Sequence, residues 1–175
     1  MKIILTVQET LIWHDIAQLF VAKDLVGGQY LCLAVDVEEV LPRYIAVAVS
    51  AERLQQLKSG KIDLYNIFAH PETGIWFQIT AFEGNQAVAE AISNMEKLPD
   101  AWLPEPGAFL PVSPLLRPET FEAVKIVAVA KEAGMNPTLL RQYLSGVKRP
   151  SPEQVRRVQD ALHRLARRLL EVQLV

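Results

Sequence analysis

Two histidine–carboxylate neighbours, His14-Asp15 and His70-Pro71-Glu72, are the residues whose types could support acid–base or metal chemistry; His163 is the third histidine. Neither pair has metal-ligand spacing. Adjacent residues on a strand point to opposite faces, so His14 and Asp15 would not converge unless a turn brought them together. The single cysteine, Cys32, lies inside the apolar stretch Tyr30 to Val35 and reads as a buried free thiol. One cysteine allows neither an internal disulfide nor a cysteine-based zinc site. Phosphate-loop and nucleophile-elbow signatures are missing, and Gly27-Gly28 is no phosphate cradle. No enzyme, no metal site and no cofactor is expected.

A second set of residues points to recognition. Between Gly134 and Gly146 lies a segment of about one short helix. Asn136 offers a capping oxygen and Pro137 the preset φ of a first helical position. Leu140, Tyr143 and Leu144 fall at helical spacing and supply an inner face. Thr138, Arg141, Gln142 and Ser145 are then expected to face out, with Arg and Gln suited to guanine and adenine edges. Lys148 and Arg149 follow in a basic loop where a phosphate strand would pass. Asn136, Thr138, Arg141, Gln142, Ser145, Lys148 and Arg149 are the candidate DNA-binding residues.

The elements that must position them are helices with legible ends. A helix over Glu119 to Ala133 is expected to stop at Gly134. Ser151, Pro152 and Gln154 form a capping box that starts a last helix running to about Val172. On that helix Val155, Val158, Leu162, Leu165, Leu169 and Val172 are spaced as a heptad seam, which asks for a partner helix. Its first part is expected to pack on the helical core. Leu162, Leu165, Leu169 and Val172 are the expected dimerisation residues. Arg156, Arg157, Arg164, Arg167 and Arg168 ride on the other faces, where a solvated face competes with phosphate contact as the reading.

The chain has 175 residues and a net charge of −2, with half its residues hydrophobic, enough to fold and too little charge to stay unfolded. That balance hides a split: 7 Lys+Arg against 14 Asp+Glu in residues 1–113, and 11 against 6 in residues 114–175. An acidic module joined to one with an affinity for anions is the implied arrangement. Six of the 11 prolines fall from Pro99 to Pro118, a density that excludes a helix interior or central strand. The expected organisation is an α+β domain over 1–98, a Pro-rich linker over 99–118 and an all-α helix-turn-helix domain over 119–175.

In the first domain, Leu19 to Ala22 and Gln29 to Val35 flank Gly27-Gly28 as a hairpin, followed by strands at Tyr44 to Ser50 and Ile75 to Phe82. Ser50 is a plausible N-cap for a helix over Ala51 to Lys58, and Asn85 for one over Gln86 to Lys97. A mostly antiparallel sheet with a few helices follows. The acidic cluster Asp36, Glu38 and Glu39 reads most simply as a solvated turn; the other reading is an attractor for a basic partner. The aromatics Trp13, Trp76, Phe77 and Phe82 read as core. No apolar run reaches the roughly 20 residues of a membrane span, and Met1 to Val7 lacks the features of a secretory signal, so a cytoplasmic protein is expected.

The stretches Lys131 to Asn136, Leu139 to Gly146 and Lys148 to Ser151 resemble the lambda-repressor-like (XRE-type) helix-turn-helix. With the ending Ala161-Leu162-His163 to Leu170-Glu171-Val172, they look like the C-terminal module of some HicB-type antitoxins. The resemblance covers residues 131–175. It implies operator binding by dimers, Thr138 and Gln142 at base-facing positions, and Lys148 and Arg149 on the phosphates. The first half is faintly similar to an uncharacterised bacterial domain through Trp13-His14-Asp15, Leu19 to Asp24, Gly28 to Leu31 and Ser50 to Leu54, which implies no activity. The expected function is a sequence-specific DNA-binding transcriptional regulator, antitoxin-like or repressor-like. Its partners would be double-stranded DNA, a second copy, and a toxin or small effector at the first domain. The alternative is a protein–protein interaction module, toxin-neutralising or a scaffold, that never touches DNA.

Overall fold

The computed structural model of the chain describes residues 1–14, 16–38, 41–93, 95–110, 116 and 118–171. Six strands, β1 (Lys2–His14), β2 (Ile16–Asp24), β3 (Gln29–Glu38), β4 (Leu41–Ala48), β5 (Trp76–Glu83) and β6 (Gln86–Ala91), form a closed antiparallel barrel in sequence order. Closure comes from β1, which pairs with β2 on one side and with β6 on the other, Lys2↔Glu90 through Thr6↔Gln86. Two helices, α1 (Ala51–Lys58) and α2 (Leu64–Ala69), lie between β4 and β5. Three more follow the barrel: α3 (Ile126–Ala133), α4 (Pro137–Leu144) and α5 (Pro152–Leu170). No described helix is long and apolar enough to cross a membrane.

Six strands enclose a lumen narrower than that of an eight-stranded barrel, where side chains just fill the interior. The inward residues fit that limit. Ala22, Ala34, Ala46, Ala87, Ala89 and Cys32 line it, and Phe20, Tyr30, Tyr44 and Phe77 fill the remaining space. Burial pushes the Cys32 thiol far above its ordinary range. On the outside, Leu19, Val21, Leu31, Leu33, Val35, Ile45 and Val47 form a second apolar layer, covered by Leu54 and Leu57 of α1 and by Leu64, Ile67 and Phe68 of α2. Burial on both faces explains why β2, β3 and β4 read as near-continuous apolar runs instead of alternating ones.

The Pro-rich segment is part of this second layer. Leu98, Leu103 and Ala108 are buried in it, with Trp102 and Leu110 packed at its edge. Its backbone is tied down at two points. Leu64 N donates to Ala108 O at 3.0 Å, and Glu105 N to Val147 O at 3.2 Å, in the loop between α4 and α5.

The expected fold therefore needs correction. The sheet is closed, and among the described residues no self-standing all-α domain is evident: α4 packs on β3, and Val147 belongs to the barrel's outer layer. The expected helix over Gln86 to Lys97 is instead β6. Its Gln-Ala-Val-Ala-Glu-Ala composition favours helix locally, but Ala87 and Ala89 are the small inward residues that closure requires. The expected long helix over Glu119 to Ala133 is a 3-10 turn at Pro118–Phe121 followed by α3.

Asp63 joins two of these layers. Its carboxylate caps α2 by accepting from Asn66 N at 2.9 Å and holds the Pro-rich segment by accepting from Gly107 N at 2.7 Å. Burial pushes its pKa up, yet the hydrogen bonds from Asn66 and Gly107 outweigh burial and leave it below the usual carboxylate value. A depressed carboxylate pKa makes this contribution full above the unfolded value of about 3.9 and lost as pH falls through the lower folded value. Asp63→Ala is expected to destabilise by about 1–3 kcal/mol in urea melts at neutral pH, with the difference from the parent chain shrinking at strongly acidic pH.

Candidate functional site

The segment from α3 to α5 is built by the local signals the sequence carries. Gly134 ends α3 at φ 63°, a left-handed conformation that favours glycine. Asn136 caps α4 by accepting from Thr138 N at 2.7 Å, and Ser151 and Gln154 form the capping box of α5. Leu140 and Leu144 of α4 pack with Val129, Ala130 and Ala133 of α3 and Val158 and Ala161 of α5.

The opposite face of α4 does not reach solvent. Thr138 is 1% exposed and Gln142 1%, and Arg141, Ser145 and Lys148 are buried with them. The expectation that this face looks outward is corrected, because it lies against the barrel. Gln142 Nε2 donates to Ala34 O of β3 at 2.9 Å. β3 carries a register shift between Ala34 and Asp36, and its pairing with β2 ends at Leu33. A bulge disrupts the ladder at this point, and the Gln142 amide donates to the carbonyl beside it. Lys148 Nζ donates to Ala101 O at 2.6 Å in the Pro-rich segment; burial lowers its pKa, opposed by the nearby Glu105. Asn136 and Arg149 remain exposed.

The arginines of α5 are also engaged with the protein itself. Arg157 donates to Ala133 O and Gly134 O at 2.8 and 2.9 Å, and Arg164 to Glu132 O at 2.8 Å, satisfying carbonyls at the C-terminus of α3. Arg164 and Arg168 together clamp the Glu132 carboxylate and hold its pKa below the usual range. Arg156 and Arg167 are exposed. Of the expected dimerisation residues, Leu162 and Leu165 pack at the edge of the helical core, Leu169 is 66% exposed, and Val172 lies outside the described residues.

A cavity between β4 and β5 is a site the sequence does not announce. Tyr44, the register partner of Ala34, sends its hydroxyl across β3 to donate to Ala17 O of β2 at 2.9 Å. Its ring and Phe82 meet edge to face at 5.4 Å and 74°, with Phe20 behind at 5.5 Å from Tyr44. Tyr44, Phe82, Pro42, Ile79, Thr80 and Ala81 line a cavity of about 360 Å³. Burial raises the Tyr44 pKa to about 12, while the Arg141 charge opposes the rise, so the phenol stays neutral at physiological pH. A separate groove of about 780 Å³ runs between Trp13, at the tip of the β1–β2 hairpin, and residues 118–127.

Of the acid–base candidates, Glu72 is engaged at a helix start. Glu72 accepts from Ser50 N at 2.6 Å and Ser50 Oγ at 2.9 Å at the start of α1, and the His70 carbonyl accepts from Arg53. Asp15 and Glu39 lie outside the described residues. Among those described, no three His, Cys, Asp or Glu side chains gather as a metal site.

Residues 5–136 match the model of a family of unknown function (DUF6575), and the chain belongs to that family. The match runs from β1 through the N-cap of α4. No curated protein and no solved structure matches the chain.

Because Gln142 couples α4 to the barrel, Gln142→Ala is expected to destabilise by about 1–3 kcal/mol, leaving a buried acceptor unpaired. The α4 amides should exchange hydrogen faster than in the parent chain. Unchanged stability and unchanged exchange would show that the contact does not hold the helix.

Proposed function

We propose that this family member is a protein-interaction module that works without DNA. The observation that carries the reading is the burial of Thr138, Arg141, Gln142 and Ser145, with Gln142 bonded to β3, which leaves none of these side chains free to read a base edge. Capping roles at α3 consume cations that would otherwise meet phosphates. Large apolar side chains face solvent instead: Trp13 at 69% exposure beside its groove, Val127 at 52%, and Leu169 and Leu170 at 66% and 87% on the last turns of α5. Exposed aromatics beside a groove are the usual anchors of protein partners. The Leu169–Leu170 end supports pairing with a second copy, and the Trp13 groove supports docking of an apolar segment from another protein. A cytoplasmic setting is part of the reading, supported by the free, buried Cys32.

Two measurements test it together. Sedimentation velocity should show concentration-dependent dimers that the Leu169→Glu, Leu170→Glu double variant abolishes without altering the circular dichroism spectrum. Iterative selection from a random duplex library should enrich no sequence. Recovery of a duplex bound with a steep salt dependence would overturn the reading in favour of a DNA-binding regulator.

A further inference from the structure

At one end the barrel parts between its hairpins. The β2–β3 pairing ends at Leu19↔Leu33, although β2 begins at Ile16 and β3 runs to Glu38. Gln142 of α4 reaches this split, its Nε2 donating to the carbonyl of Ala34, the first β3 residue past the last pair. A second split of the same kind lies between β4 and β5. Their pairing ends at Tyr44↔Ile79, although β4 begins at Leu41 and β5 runs to Glu83. Among the described residues, 81–83 pair with β6 alone, and Thr80, Ala81, Phe82 and Glu83 are all exposed. The cavity of about 360 Å³ lies in this split, with Pro42 and Tyr44 on the β4 side and Ile79, Thr80, Ala81 and Phe82 on the β5 side.

A strand edge with unpaired N–H and C=O groups is a template for another extended chain, and folds ordinarily blunt or cover it. Residues along an antiparallel ladder alternate between bonding toward their partner strand and turning away from it, so part of the backbone of residues 80–83 is presented to the split. The β4 edge offers less, because Pro42 has no N–H. All six lining residues are uncharged, which leaves nothing in the cavity to pair a charged group. The two hairpins that bound the split are acidic in sequence, with Asp36, Glu38, Glu39 and Glu83 against Arg43.

We propose that the β4–β5 split binds an extended peptide segment of another protein, which adds as a strand along residues 80–83, seats a large apolar side chain against Tyr44 and Phe82, and carries lysine or arginine on its flanks. In strand addition the backbone hydrogen bonds supply affinity and the pocket selects the side chain. The acidic hairpins draw in the basic flanks. This site goes beyond the surfaces named above: it shares no lining residue with the Trp13 groove and involves no residue of α5.

The test uses the full chain and the probe acetyl-Lys-Thr-Val-Phe-Val-Thr-Lys-amide, followed by backbone amide chemical shifts. Saturable shifts are expected at residues 79–83 and 43–44. Replacing the central phenylalanine of the probe by aspartate, or methylating its alternate backbone nitrogens, should each weaken binding about tenfold or more. Exchanging both lysines for glutamates should weaken it at low salt and much less at high salt. Phe82→Ala should lose the preference for phenylalanine over alanine at the centre of the probe. No binding at millimolar probe, shifts confined to the Trp13 groove, or equal binding of the glutamate-flanked probe would overturn the proposal. Equal binding of the methylated probe or of N-acetylphenylalaninamide would replace it with a small-molecule pocket. Shifts at residues 80–83 that grow with protein concentration alone would replace it with pairing of a second copy. The probe comparisons on the unaltered chain decide the matter whether or not Phe82→Ala folds.

Discussion

The structure depends on a sheet buried on both of its faces. Closing six strands leaves a lumen that only alanines, one cysteine and a few rings can fill, so the inside alone offers a modest core. The outer faces of β2, β3 and β4 must then be covered as well, and α1, α2 and the Pro-rich segment do this. The segment is shaped for the task. Proline keeps it out of the sheet ladder and out of a helix, leaving an extended strap whose Leu98, Leu103 and Ala108 fill gaps over the barrel. Asp63 and the backbone bonds at Ala108 and Glu105 fix where the strap runs.

That strap also explains why the helices after it are not a separate body. A tether would let α3, α4 and α5 move as a unit. Here Glu105 and Ala101 hold Val147 and Lys148, in the loop that follows α4, against the barrel layer. With the loop pinned, the small polar face of α4 is drawn onto β3 at the place where the strand bulges and exposes a carbonyl. A helix with large side chains at Thr138 and Ser145 could not approach so closely. The residues that suit a base edge, small and hydrogen-bonding, equally suit a strand backbone.

This ambiguity marks what was legible in the sequence and what was not. The caps at Ser50, Asn136 and Ser151 and the stop at Gly134 stand where the residues predict, because capping is settled within one turn of chain. The β2–β3 hairpin around Gly27-Gly28 is equally local. What escaped was long-range. β6 carries helix-forming residues and becomes a strand because the barrel needs small side chains at Ala87 and Ala89. β1 reads weakly because three register shifts against β2 break its alternation. The outward face assigned to α4 depended on what lies 108 residues away in the chain, at Ala34.

The charge split ends with a different meaning from the one composition suggests. In the second half, Arg157, Arg164 and Arg168 close the C-terminus of α3, Lys148 ties the loop to the strap, and Arg141 is buried. Four of these five cations meet carbonyls or a carboxylate of the same chain, so these four serve intramolecular docking. Arg141 differs in kind: its Nε is enclosed without an acceptor, while α4 is already held to its neighbours by Gln142 and by Leu140 and Leu144.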